Sequence, residues 1–287
     1  MKLRAVGVIS KPKKEDICAV APRLLDWLRG RSIRAVCDQE TAACLSRGEG
    51  TPREQIPGQV DLIVGLGGDG TLLAAARLVG EHNVPLLAVN LGSLGFLTEI
   101  TLDEMIPVLE SVAADQHRLE TRRMLEAEVE APGRPAAHYR ALNDLVLHKG
   151  AMSRMMDFDV RANQSFVSRM RADGLILSTP TGSTAYSLSA GGPIVLPSVD
   201  ALVMTPIAPH MLSNRPLVIP GNSVVEIELR AADPAAYVTL DGQVGEELSP
   251  GGKVRVRGSE QVIRLVASPS RDYFQVLRSK LRWGEGG

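Results

Sequence analysis

The chain has 287 residues, enough for one large domain or two ordinary ones, and its 44% hydrophobic content allows a sizeable core. Its 32 Lys and Arg nearly balance its 33 Asp and Glu, no basic run exceeds KPKK at 11–14, and only 3% of residues are aromatic; this excludes a long nucleic-acid footprint and stacking platforms for single strands. No window approaches the roughly 20 apolar residues of a membrane helix, and the apolar part of MKLRAVGVIS is too short for a signal peptide.

Strand-like and helix-like segments alternate at first. RAVGVIS (4–10) reads as a buried strand, and Ile17, Val20, Leu24, Leu25 and Leu28 give helical spacing over 15–30, with Gly30 as the stop. IRAVCD (33–38) is a second strand, and the Gly- and Pro-rich RGEGTPREQIPG (47–58) a loop. VDLIVGL (60–66), TLLAAARLVG (71–80) and VPLLAVN (84–90) follow as strand, helix and strand, then a helix over 103–113. This alternation predicts an α/β domain with a Rossmann-like parallel sheet covered on both faces. The three cysteines, Cys18, Cys37 and Cys44, are spaced unlike any metal knuckle and read as reduced thiols of a cytoplasmic protein.

The pattern changes near residue 120. MLEAEVEA, HYRALNDLVLHK, MMDFDVRAN, VVEIELR, AYVTL, KVRVR and VIRLVAS read as short strands, separated by turn signals ANQS, AADP, DG and SPGGK. The chain therefore divides into an N-terminal α/β domain, 1–118, and a β-rich domain, 119–269. DYFQVLRSKLRWG has helical spacing again, and 270–287 is expected to return to the first domain.

Two loops carry the chemistry. Gly65, Gly67 and Gly70 fit G-x-G-x-x-G between a strand and a helix, either a dinucleotide cradle or the tight turn of an ordinary α/β domain. Asp69 stands inside this loop, where a carboxylate repels phosphate unless a magnesium ion bridges the two or the carboxylate takes a proton from an attacking hydroxyl. Both readings point to phosphoryl transfer. No Walker or protein-kinase motif accompanies the loop.

The second loop, DGLILSTPTGSTAYSLSAGGPIV (173–195), is rich in hydroxyls and glycines that suit phosphate oxygens or ribose, or that cap the next helix. A nucleophilic serine is disfavoured, because no G-x-S-x-G elbow is present. Asn143 and Asp144 interrupt an apolar strand, as a bulge or strand start, or as a grip on a ribose diol. The DG of TLDGQ reads as a hairpin turn, and SNRPLVIP as structural. Arg154 and Arg171 are solvated charges or face a diphosphate.

GGDG (67–70), NLGSLGFLTEI (90–100), LNDLVLH, DGLILSTPTGSTAYSLSAGGPIV and PHMLSNRPLVIP together resemble the NAD kinase family over nearly the whole chain. GGDG alone is shared with diacylglycerol kinases and is similar to a loop of 6-phosphofructokinases; the run 173–195 is far more specific.

The resemblance implies an active site between the two domains and assembly as a homodimer or homotetramer. It implies transfer of the terminal phosphate of ATP, with a divalent cation such as Mg²⁺, to the 2′-hydroxyl of NAD's adenosine ribose. It makes Asp69 the general base, with Gly70 beside it, and Gly67, Gly68, Gly70 and Thr71 the phosphate-donor loop. It gives the dinucleotide Asn143, Asp144, Asp173 with Arg171, the loop Thr184, Ala185, Tyr186, Ser187, Leu188 and Ser189, and further contacts at Arg154 and Gln243. It names no metal ligands. Thr71 after GGDG is associated in this family with use of inorganic polyphosphate beside ATP. The competing readings are a lipid or sugar kinase of the same superfamily, and a non-catalytic dinucleotide sensor.

Overall fold

A computed structural model of the chain describes residues 2–11, 15–46, 48–150, 155–211, 213–230 and 235–283. It divides into two compact units, one of residues 1–121 with 263–287, the other of 122–262. The first run of elements is β1 (Ala5–Ser10), α1 (Glu15–Gly30), β2 (Arg34–Cys37), α2 (Gln39–Cys44), β3 (Leu62–Gly67), α3 (Asp69–Val79), β4 (Leu86–Asn90), β5 (Ile100–Thr101) and α4 (Met105–Ala113). Next come β6 (Leu119–Glu130), β7 (Ala137–Ala141), β8 (Asp144–Lys149), β9 (Met156–Ala162), β10 (Ser165–Ala172), β11 (Gly174–Ser178) and the short α5 (Tyr186–Ser189). Then follow β12 (Ala201–Ile207), β13 (Leu217–Pro220), β14 (Val224–Leu229), β15 (Ala236–Leu240), β16 (Val244–Leu248), β17 (Lys253–Val266) and α6 (Tyr273–Leu281).

In the first unit the strands run parallel in the order β4-β3-β1-β2. Leu265, near the end of β17, extends this sheet beside Leu86. The steps β1 to β2 and β3 to β4 run in opposite directions, so right-handed crossovers send α1 and α3 to opposite faces. The core agrees: Leu24 and Leu28 of α1 and Leu109 of α4 share one cluster with Val6, Val8, Leu62 and Val64. The buried Leu72, Ala75 and Ala76 of α3 lie outside that cluster. Strand order reverses between β1 and β3, and the carboxyl end of such a reversal is where open α/β sheets bind ligands. Gly67, the last residue of β3, stands there.

The second unit is antiparallel. One sheet has the order β13-β12-β11-β8-β15-β16; the other joins β10, β9, β14 and β17, with β6 paired to β17 and β7 to β6. Leu145, Leu147, Leu175 and Leu177 of the first sheet pack on Phe158, Val160, Val225 and Ile227 of the second. Alternation of buried and part-exposed residues along VVEIEL of β14 is the period-two signature of a sheet with one covered face.

Three sequence expectations need correction. Cys18 and Cys44 are joined in a disulfide with Cα atoms 5.1 Å apart, and Cys37 stays outside it. Their separation of 26 residues hides the proximity, which arises because α2 packs back on α1. KVRVR and VIRLVAS form one continuous strand, β17. HYRALNDLVLHK is two strands, broken at Leu142 and Asn143. The AADP turn signal lies outside the described residues.

Candidate active site

In the first unit the buried strand β3 ends at Gly67, and the chain turns through Gly68 into α3, whose first residue is Asp69. Its carboxylate does not point into an empty cradle. Oδ2 accepts the N–H of Phe96 at 3.0 Å, while Oδ1 accepts the N–H groups of Leu97 and Thr98 at 3.2 and 3.0 Å and the Thr98 hydroxyl at 2.8 Å. The Asn90 side chain supports this arrangement by donating to Thr98 Oγ1 at 2.8 Å and to the Ser93 carbonyl at 2.8 Å. A Cβ at residue 95 would overlap the Asp69 carboxylate, so glycine is required for this close approach.

The negative charge beside the glycines is thus held by donors of the 95–98 loop, a third answer beside the metal bridge and the proton transfer. Oδ2 keeps more accepting capacity than Oδ1. Thr71 is buried, its hydroxyl turned onto Gly67, where a Cβ would overlap it. Among the described residues no group of three or more His, Cys, Asp or Glu side chains is placed to hold a metal.

The second unit holds a pocket of about 480 Å³ lined by Asn143, Asp144, Ala185, Tyr186, Thr239 and Asp241, with His148 beside them. The corner 142–144 is fixed from two sides. Thr179 Oγ1 donates to the Leu142 carbonyl at 2.7 Å and the Thr179 N–H to the Asn143 carbonyl at 2.9 Å. Opposite, the Asp241 carboxylate accepts the N–H groups of Leu142, Asn143 and Asp144. A Cβ at residue 182 would overlap the Asn143 backbone, so only glycine lets the turn 181–184 lie against this corner. Burial, and then the neighbouring Asp241 charge, push the Asp144 carboxyl up to about 7.

The pocket brings together Asn143, Asp144, Ala185 and Tyr186 of the residues expected for the dinucleotide. Thr184 and Ser187 are buried, with hydroxyls engaged by the Thr181 carbonyl and by Thr205. Leu188 and Ser189 complete α5 outside the pocket lining. Asp173 precedes β11 and pairs with Lys149 at 2.9 Å, and Arg171 is exposed on β10. Gln243 is exposed in the β15–β16 turn, and Arg154 lies outside the described residues. Much of the hydroxyl-rich loop thus serves its own backbone. Sequence reasoning missed Asp241, Thr239 and His148 as pocket residues. Asp241 had a signal in the DG of TLDGQ, which does form the expected hairpin turn, with φ of 52° at Asp241 and 62° at Gly242.

Residues 6–117 match the ATP-NAD kinase N-terminal domain, and residues 142–268 the ATP-NAD kinase C-terminal domain. The chain is 46% identical over 283 residues to an NAD kinase of Solibacter usitatus, covering 99% of each chain. It is 47% identical over 283 residues to an NAD kinase of Geobacter sulfurreducens, covering 99% of this chain and 100% of the relative. Its fold is similar to that of yeast NADH kinase complexed with NADH (TM-score 0.93, 29% identity, covering 100% of this chain and 90% of the other). An Archaeoglobus fulgidus NAD kinase in complex with ATP shares the fold (TM-score 0.77, 24% identity, covering 97% and 98%). The chain belongs to the NAD kinase family.

Proposed function

We propose that the protein transfers the terminal phosphate of ATP to the 2′-hydroxyl of the adenosine ribose of NAD, making NADP. The observation that carries this reading is the pocket of the second unit, where Asn143, Asp144, Ala185 and Tyr186 line one space, in a chain matched by both NAD kinase domains. A non-catalytic sensor and a lipid or sugar kinase are not favoured, since the full-length relatives are NAD kinases.

The residue roles follow from chemistry. A ribose hydroxyl is a poor nucleophile, and removing its proton as it attacks contributes about 10² to 10⁴-fold. Asp69 takes that proton on Oδ2, which accepts the Phe96 N–H, while Oδ1 stays on Thr98. Gly67, Gly68, Gly70 and Thr71 form the turn from β3 into the first residues of α3, where N–H groups and the helix dipole favour the donor phosphates. Asn143 and Asp144 grip the adenosine part, with Ala185 and Tyr186 beside it. Asp173, Arg171, Arg154, Thr184, Ser187, Leu188, Ser189 and Gln243 complete the dinucleotide site directly or through backbone. A divalent cation such as Mg²⁺, bound with ATP, would supply neutralisation of the phosphate charge. Residues 1–118 with 270–287 act as the donor-binding domain and 119–269 as the NAD-binding domain. The protein works in the cytoplasm as a homodimer or homotetramer, with polyphosphate as a second donor by virtue of Thr71.

Purified protein given NAD, Mg²⁺ and ATP should form NADP and ADP in equal amounts. ATP hydrolysis without NADP would overturn the reading. Replacing ATP by polyphosphate tests the second donor, and absence of NADP there removes that part alone.

A further inference from the structure

We propose that Asp241 is a positioning residue that fixes the Asn143–Asp144 corner and keeps Asp144 as a neutral, hydrogen-bond-donating carboxylic acid in the nucleotide pocket. The inference rests on the NAD-phosphorylating reading and deepens it by assigning a proton to the binding site.

The geometry is reciprocal. Asp241 accepts backbone N–H groups from Leu142 at 3.2 Å, Asn143 at 2.8 Å and Asp144 at 3.4 Å, and its own N–H donates to the Asp144 carbonyl at 3.0 Å. Both of its oxygens are engaged as acceptors. Asp144 opens β8, lines the same pocket and is 5% exposed, against 8% for Asp241. Two carboxylates so far from water do not both hold a charge cheaply, and the proton belongs on the one whose oxygens are not already filled by N–H groups. The raised Asp144 carboxyl, at about 7 from burial and then the Asp241 charge, agrees. The other titratable groups of the pocket are His148 and Tyr186. The His148 ring stacks on Tyr237, with Nδ1 3.1 Å from the Lys149 carbonyl.

The proton changes what the site recognises. A neutral carboxyl offers one donor and one acceptor, which suits an adenine edge or a ribose diol; a carboxylate only accepts, and it repels a diphosphate. The affinity for NAD should therefore fall as Asp144 ionises above neutrality, by up to about tenfold per pH unit for one linked proton.

The test is calorimetric titration of the whole protein with NAD, without ATP, from pH 6 to 9. The wild type should bind evenly below pH 7 and progressively more weakly above it. Asp241→Asn removes the repelling charge, so the break should move to lower pH and binding at pH 7.5 should weaken several-fold. Asp144→Asn should abolish the break, whatever its affinity. A flat wild-type profile would overturn the proposal. So would a break that survives in Asp144→Asn, or an Asp241→Asn profile weakened equally at every pH with its break unmoved. If Asp241→Asn does not fold, the wild-type and Asp144→Asn profiles decide alone. NADP formation is assayed on the same wild-type sample. NADP made with a flat binding profile sinks only this inference, while no NADP at any pH sinks the kinase reading beneath it.

Discussion

Asp69 and Thr98 are joined twice: the Thr98 backbone N–H and its hydroxyl both donate to Oδ1 of the Asp69 carboxylate, at 3.0 and 2.8 Å. The same hydroxyl accepts from Asn90 Nδ2 at 2.8 Å, so a relay of three side chains runs from the end of β4 to the start of α3. The group proposed as the base is thereby also the anchor of the loop that follows β4.

Thr98→Val removes the hydroxyl and leaves the Asn90 amide and Asp69 Oδ1 each short of a partner, at a cost of about 1–3 kcal/mol. Urea unfolding should show that loss. The rate of NADP formation should fall, with NAD affinity little changed, because Thr98 and the pocket at Asn143 belong to different units. A variant as stable and as fast as the wild type would remove Thr98 from the account.

Glu104 ties the start of α4 to the C-terminal segment. Burial raises its carboxyl, but hydrogen bonds from Arg271, the Thr101 N–H, Ser270 and the Thr101 hydroxyl together hold it down at about 2. A lowered carboxyl contributes stability above its unfolded value, near 4.5, and that contribution is lost as pH falls towards 2. Arg271→Met should make acid unfolding, followed by circular dichroism, begin at a higher pH than in the wild type. Coincident acid transitions would contradict this.

Asp144 has the opposite sign. Its carboxyl is raised from 3.8 to about 7, so between those values the folded chain holds a proton that the unfolded chain has released. Stability therefore falls as pH rises through that window, and the full penalty stands above pH 7. Asp144→Asn should be more stable than the wild type at pH 8, on the order of 2–4 kcal/mol, with the difference fading towards pH 4. Urea midpoints at the two pH values check it, and a variant less stable at pH 8 would contradict the buried-acid assignment.

The Cys18–Cys44 bond closes a loop of 26 residues between α1 and α2. Constraining a loop of that length stabilises by about 3 kcal/mol through the unfolded chain. Reductant, or Cys44→Ser, should lower the unfolding midpoint accordingly. An unchanged midpoint would mean that the thiols are unpaired in solution.

The sequence made the parallel sheet legible because its strands are buried runs and its helices carry spacing such as Leu24, Leu25 and Leu28. The β-rich unit was legible where one face is wet, as in β14, and less so in HYRALNDLVLHK, where the break at Leu142 and Asn143 is made by tertiary bonds from Thr179 and Asp241. Asn143 and Asp144 stood out because polar residues interrupt an apolar run. Asp241 did not, because one DG pair serves equally as a turn and as a carboxylate aimed at amides nearly 100 residues away in sequence. The disulfide was hidden for the same reason. The bonds that satisfy Asp69 come from a loop whose closure on it no local pattern encodes.

The most direct test of the proposed chemistry is the rate of NADP formation from NAD, Mg²⁺ and ATP by the wild type and by Asp69→Asn, with NAD affinity measured on both. Asparagine keeps a carbonyl oxygen for Thr98 but cannot take the ribose proton. The variant is expected to bind NAD within a few-fold of the wild type and to form NADP slower by roughly 10²-fold or more. A variant that turns over at the wild-type rate would contradict the assignment of Asp69 as the base.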